Sequence, residues 1–349
     1  MFAHGRTETQ APASFAEILL ADGWGQPSAL LGRLKAWSML FDMSRPDLVV
    51  ADHAPTALAA AKCASVPAIP FGSGFEIPPP LFPSPSIRPW ETISDERLKH
   101  AEEVVLETLA QVAKPLGGAG VGQVSDLFEN AVLTTYPELD HYGPRSAGQY
   151  VGAWHTAGGL PIVEWPKGGG PRVLAYLRPS VPGFSEAIQV LSDFEGVAIT
   201  AAPGLSKSEA NRLSSERHRI VPYPIRIESL LQQTDAVVSY AGVGLITQSL
   251  LAGKPLLLMP QTVEQRLGAQ CVQVLGAGRV LEKERSVSDI RTMLACVLAD
   301  KDISASGSRF SARYQADSPQ ISIGRACDAI LQFVSTGSSS VLHATPIPK

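Results

Sequence analysis

"DAVVSYAGVGLITQSLLAGKPLLLMP", residues 235–260, spells out a strand, a glycine-spaced turn, a helix and a second strand without interruption. The first part, "DAVVSY", is apolar, β-branched and opened by Asp235, which reads as a short buried strand. Gly242 and Gly244 mark the turn, and the apolar run after them reads as a helix. Gly253-Lys254-Pro255 closes that helix, since glycine is favoured just past a helix end and proline cannot continue it. "PLLLMP" is then a second buried strand. A strand that runs straight into a helix leaves bare backbone N–H groups at the helix start, aimed at an anion. This turn, however, carries Tyr240, Ala241 and Leu245 where a phosphate-binding loop places glycine or polar residues.

The same alternation extends on both sides. "RVLAYLRP" precedes "GFSEAIQVLSDF"; "GVAITAAPG" precedes "SKSEANRLSS"; "HRIVPYP" precedes "IESLLQQT"; and "KPLLLMP" precedes "EQRLGAQCVQVLGA". Five strands alternating with helices predict a parallel sheet covered on both faces. Ligands of such sheets bind outside the carboxyl ends of the strands. Arg178, Ala202 and Pro203, residues 222–224, 240–245 and 260–265 all fall at those ends.

Toward the N-terminus, "PDLVVAD" (46–52) and "VPAIPFGSGF" (66–75) read as strands flanking an alanine-rich helix. A proline-rich loop (76–90) follows, then a helix opened by Ser94 with acids in its first turn, then strands within 130–140 and 148–154. "VEWPKGGGPR" (163–172) is the linker candidate. The fold class expected is α/β, two Rossmann-like domains with parallel sheets facing a cleft: residues 1–165 and 166–335, with 336–349 as a flexible tail.

Composition supports a folded, two-domain chain. It has 349 residues, 45% hydrophobic and 18% charged. A net charge of −4 leaves no basic footprint for nucleic acid, and no segment is polybasic. No apolar run reaches the roughly 18 residues that span a bilayer. "MFAHGRTETQ" has no apolar core, so it is no signal peptide, and a cytoplasmic location is expected. Cys63, Cys271, Cys296 and Cys327 fit neither a disulfide frame nor metal spacing and read as reduced core residues. The seven histidines show no H-x-x-x-H pair, and "DKD" (300–302) reads as a solvated polar segment, so no metal site is expected.

The order of these segments resembles the GT-B glycosyltransferases, the nucleotide-sugar enzymes that include the flavonoid, macrolide and glucuronosyl transferases. That family shows a strand ending in His-Gly-Gly-x-Gly-Thr, a helix, Gly-x-Pro, an apolar strand, Pro, and an acid–Gln pair followed by Asn-Ala. The corresponding text is "YAGVGL", "AGKPLLLMP" and "QTVEQRLGA". "VPYPIRIESLLQQTDAVV" resembles the family segment that stacks the nucleotide base, and "RPDLVVADHAPTALAAAKCASVPAIPFGSGF" the acceptor-side strand–helix–strand of bacterial members. The likeness covers roughly residues 12–335.

The resemblance implies inverting transfer of a sugar from a nucleoside-diphosphate sugar, a co-substrate rather than a cofactor, to the hydroxyl of a small-molecule acceptor. It places Arg178, Pro224, Ile225, Tyr240, Gly242, Val243, Gly244, Leu245, Glu264 and Gln265 at the donor. It places Asp52 where the family orients its catalytic base, and His53, Gly72, Ser73, Gly74 and Phe75 toward the acceptor. No metal is implied. Each residue also has a plainer reading: glycines kept for packing, Glu264 and Gln265 as helix caps, 222–225 and Asp52 as turns, Arg178 as a solvated cation.

Departures from the pattern are specific. The family His is Tyr240, its first Gly is Ala241, its Thr is Leu245, and the Asn before Ala269 is Gly268. Backbone N–H groups from Val243 to Leu245 remain available, while Ala241 resists the left-handed backbone that Gly takes freely. Residues 1–20 read as a loop, so two βα units of roughly 30 residues each are expected to be missing from the front. His4 follows no strand and fits no family position. An incomplete sheet would leave an open edge and favour self-association. The rival to an active transferase is a catalytically silent paralogue that keeps the fold to bind a nucleotide or a partner.

Overall fold

The computed structural model describes residues 11–341 except 119, 147, 155–157 and 283–284, with backbone alone from 336 onward. His4 lies outside the described residues. The chain divides into two compact units: Met1–Thr135, Pro144–Val151 and Gly324–Lys349 form one; Tyr136–Gly143 and Gly152–Ile323 form the other.

Among the described residues the first unit opens with two helices, the first of them within the segment read as a loop: α1 (Phe15–Ala21) and α2 (Pro27–Ser44). Ser14 caps α1 by accepting from the Glu17 N–H at 3.3 Å, and Pro27 starts α2. Phe15, Ala16 and Leu19 are buried on α1, and Leu30, Leu34 and Phe41 on α2. The exposed Met39, Leu40 and Met43 blur that stripe, which hides the helix from a periodicity reading. There follow β1 (Val49–Asp52), α3 (Pro55–Ala64), β2 (Ala68–Gly72), α4 (Asp95–Ala113), β3 (Val132–Leu133) and β4 (Gln149–Tyr150). The strands pair in parallel in the order β1-β2-β3-β4. Ser94 caps α4 as the sequence predicts. The third and fourth strands are only two residues long, because the chain beyond β3 turns into a short 3-10 helix at Pro137–Leu139.

The second unit contains β5 (Arg172–Tyr176), α5 (Phe184–Ser192), β6 (Val197–Ala201), α6 (Lys207–Leu213), β7 (His218–Val221), α7 (Glu228–Leu231), β8 (Ala236–Ser239), α8 (Val243–Leu251), β9 (Leu256–Leu258), α9 (Val263–Leu275), β10 (Gly278–Val280), α10 (Val287–Ala299) and α11 (Lys301–Arg313). The five strands of the sequence pattern become six with β10, too short to show a pattern of its own. All pairings are parallel, in the order β10-β9-β8-β5-β6-β7. Every residue of β6, β8 and β9 is buried, as expected for strands covered on both faces. The chain moves outward from β5 to β7, then returns to β5's other side with β8. That reversal between β5 and β8 opens a crevice at their carboxyl ends.

Helix α12 (Pro319–Val341) starts in the second unit and belongs to the first from Gly324 on. It runs into the segment read as a tail; residues 342–349 lie outside the described residues. No helix among the described residues is long and apolar enough to cross a membrane.

Two expectations change in detail. Asp300 of "DKD" is not a solvated group: it caps α11, accepting from the N–H groups of Asp302 and Ile303, and pairs with Arg279 at 2.9 Å. Helix starts attract carboxylates, so the acid pattern has a structural cause. The four cysteines are free, but only Cys63 is buried, and Cys327 is exposed on α12.

Candidate functional site

A cleft of about 540 Å³ lies in the second unit at the carboxyl ends of β5, β7, β8 and β9. The turn after β8 forms its wall. Ser239 ends the strand, and its buried Oγ accepts from the Ala241 N–H at 3.2 Å. That short link folds Ala241 into the left-handed region, φ 64°. Alanine therefore adopts the backbone it was expected to resist, held by Ser239 and by complete burial. Gly242 is the N-cap of α8, with Val243 and Gly244 in the first turn.

Among the described residues, the N–H groups of Gly242, Val243 and Gly244 meet no acceptor. The Leu245 N–H instead donates to the Gly242 carbonyl at 3.1 Å. Leu245 lines the cleft, but its N–H is not the free donor expected of it. Gly242 has φ −65°, Gly244 has no left-handed φ, and a Cβ on either would meet no atom within 4 Å. Neither backbone conformation nor packing requires glycine at these two positions. The space in front of the helix start is open.

Tyr240 is buried and faces a different task from the one expected. Its hydroxyl donates to the backbone carbonyl of Arg178, 3.4 Å away, rather than standing free in the cleft. Burial pushes its phenol up to about 12, partly opposed by Arg285, so it is a neutral donor at physiological pH. The exposed Arg178 side chain lines the cleft just after β5. Beside it Tyr176 is half-buried, and burial raises its phenol against the opposing pull of Arg178.

Pro224 and Ile225 line the cleft after β7, with Ile227 beside them. On α9, Gln265 both lines the cleft and caps the helix: its Oε1 accepts from the Gln261 N–H at 2.8 Å. The capping reading and the binding reading are compatible, since the amide nitrogen is left over. Glu264 is half-buried and is not among the lining residues. Residues that sequence reasoning missed complete the walls: Leu160, Tyr176, Val181, Ile227, Glu228, Ser239 and Gln248, while Gln261 and Thr262 belong to the strand end at 260–265 that the sequence marked. Most stand at strand ends. Gln248 stands one turn beyond Gly244 on the same helix face, a spacing that could have flagged it.

In the first unit, Asp52 ends β1 and is exposed, and its carboxylate accepts no hydrogen bond among the described residues. His53 follows, also exposed, with φ 46°. The Asp52↔Phe71 register sets them beside the end of β2. There Gly72 is the last strand residue, and the Ser73 hydroxyl donates to the Glu76 carboxylate at 3.1 Å. Gly74, φ 112°, accepts from Arg145 Nη2 at 3.2 Å, and Phe75 follows it. Glu76 and Arg145 were not anticipated. No group of three or more His, Cys, Asp or Glu among the described residues is arranged to hold a metal ion.

Residues 192–312 match the Glycosyltransferase family 28 C-terminal domain, which takes in the strand ends β7–β9 of the cleft. A curated relative, described as an uncharacterized UDP-glucosyltransferase, YojK of Bacillus subtilis (strain 168), is 28% identical over 102 residues. That match covers 29% of this chain and 25% of the relative, so the chain is aligned to about a quarter of its length. The crystal structure of the glycotransferase of kitacinnamycin superposes with a TM-score of 0.70 at 17% identity, covering 94% of this chain and 85% of that one. The glycosyltransferase VinC in complex with DTDP superposes with a TM-score of 0.62 at 18% identity, covering 89% and 80%. Parallel sheets, the reversal between β5 and β8 and these superpositions agree on the fold: the chain has the GT-B fold, and its residues 192–312 are similar to the glycosyltransferase family 28 C-terminal domain.

Proposed function

We propose that the second unit holds the nucleoside-diphosphate part of a nucleotide sugar, and that the chain transfers the sugar, with inversion, to the hydroxyl of a small-molecule acceptor. One observation carries this reading: Gly242 and Gly244 leave open space before three unpaired N–H groups, at a position where folding does not require glycine. A diphosphate would accept from those groups, with the helix dipole adding about 0.3–1 kcal/mol. Arg178 is the cation on the same cleft and would balance charge on the leaving diphosphate. Pro224 and Ile225 offer an apolar shelf to the base, and Gln265 its amide nitrogen to sugar hydroxyls. The curated relative is described as a UDP-glucosyltransferase and VinC was solved with DTDP, which makes UDP and TDP the nucleotides to try first.

On the acceptor side, Asp52 is the proposed catalytic carboxylate, with His53, Gly72, Ser73, Gly74 and Phe75 near the acceptor. Asp52 has the free oxygens to take or orient a proton as the acceptor hydroxyl attacks. Self-association is proposed through β1, an edge strand on which Val50 is 47% exposed. A monodisperse monomer in light scattering would count against it.

Calorimetric titration with UDP, TDP and their sugars tests the donor site. Heat of binding is expected, and Gly244→Val is expected to abolish it by filling the space before the N–H groups. A folded protein that gives no heat with any nucleotide sinks the proposal. Binding without product, with a panel of hydroxyl acceptors, favours the silent paralogue.

A further inference from the structure

The loop at residues 177–183, between β5 and α5, carries Arg178 and Val181 to the cleft. Two side chains hold this loop by its carbonyls. The Tyr240 hydroxyl donates to Arg178 O, and Arg285 Nη1 donates to Pro182 O at 3.2 Å. The other arm of Arg285 reaches further: Nη2 donates to Pro260 O at 2.6 Å and to Glu282 O at 3.2 Å. One guanidinium therefore ties together the segments that follow β5, β9 and β10. Its stem packs on Gly183, which has φ 88°; a Cβ there would fall 2.9 Å from Arg285 Cδ. The acceptors are neutral carbonyls, and the Glu282 carboxylate is paired with Arg266 instead. Arg285 makes no ion pair among the described residues, so its charge is not spent on a carboxylate.

We propose that Arg285 is a positioning residue for the anionic part of the ligand: it fixes the β5–α5 loop so that Arg178 is presented to the diphosphate, with Tyr240 as a second anchor. This rests on the reading of the cleft as a nucleoside-diphosphate site. A planar fork can serve three carbonyls on two nitrogens, whereas a lysine offers one nitrogen on a narrower stem. Arg285→Lys therefore keeps the charge and loses the grip.

The test is calorimetric titration of UDP, TDP and uridine into the full chain and its Arg285→Lys, Arg178→Met and double variants. Arg285→Lys is expected to weaken diphosphate binding about tenfold, as for loss of one charge-assisted contact. Uridine affinity is expected to stay the same, and the loss is expected to vanish in the Arg178→Met background. Equal diphosphate affinity in Arg285→Lys, equal losses for UDP and uridine, or additive losses in the double variant overturn the inference while leaving the nucleotide site intact. If the unaltered chain binds neither UDP nor TDP, the site reading itself fails. Should Arg285→Lys not fold, Gly183→Ala crowds the Arg285 stem and is expected to give the same diphosphate-selective loss; no loss, or one shared by uridine, overturns it.

Discussion

The hydroxyl of Tyr240 donates to the backbone carbonyl of Arg178, 3.4 Å away across the reversal between β5 and β8. Where the family pattern places a histidine able to carry charge, this chain uses a neutral side chain to fasten one strand end to another. The bond is long and the donor uncharged, so it contributes little by itself. Tyr240→Phe is expected to lower stability by about 0.5–1 kcal/mol, read from urea unfolding, and to weaken UDP binding far less than Gly244→Val. A loss of UDP binding as complete as that of Gly244→Val would mean the hydroxyl reaches the ligand.

His218 predicts how stability varies with pH. It is fully buried in β7, with Nδ1 3.0 Å from Ser192 Oγ and Nε2 2.8 Å from Thr200 Oγ1. Burial lowers its pKa from 6.5 to about 4. The folded state thus favours the neutral ring, while the unfolded chain takes up a proton near pH 6.5. This contribution is complete above pH 6.5 and is lost as pH falls from 6.5 toward 4. It amounts to about 3 kcal/mol. Urea midpoints measured from pH 7.5 to 4.5 are expected to fall, and less steeply in His218→Asn. Parallel slopes for the two proteins would refute the assignment.

What the sequence discloses and what it conceals have physical causes. The strands from β5 to β9 are legible because buried parallel strands are near-continuous apolar runs between turn residues. Their order is not legible, and order makes the cleft: Tyr176 and Gln248 share a wall only because β8 returns beside β5. Gly242 and Gly244 are visible as letters, yet only the open space before them separates ligand room from helix packing. Helix α2 escaped because Met39, Leu40 and Met43 break the polar face that would have marked it. Arg285 stood out in no motif, since its partners are carbonyls, which any residue supplies.

Glu102 is a buried carboxylate with a mechanical role. It is fully buried on α4; Oε2 accepts from the Ser84 N–H at 2.5 Å and Oε1 from the Val124 N–H at 2.9 Å. It thereby pins the proline-rich loop and the turn at Val124–Phe128 to one helix. Glu102→Ala orphans two buried donors, each costing about 1–3 kcal/mol, so a loss of about 2–6 kcal/mol is expected in urea unfolding. Hydrogen exchange at the Ser84 and Val124 amides is expected to accelerate together. Unchanged protection at both would show that the loop is held by other contacts.

Gly244 separates stability from binding. It lies in the first turn of α8 without a left-handed φ, and a Cβ there would touch nothing within 4 Å. Alanine is the better helix former, by up to about 1 kcal/mol, so Gly244→Ala is expected to leave stability unchanged or raise it by about 0.5–1 kcal/mol. The same methyl group would stand in the space before the N–H groups of Gly242 and Val243, and UDP affinity is expected to fall about tenfold or more, the equivalent of one lost contact of about 1.4 kcal/mol. Both quantities come from one preparation, by thermal unfolding and calorimetry. A residue retained for packing predicts the opposite pairing, a destabilised protein with intact binding, and that outcome would return the turn after β8 to a purely structural role.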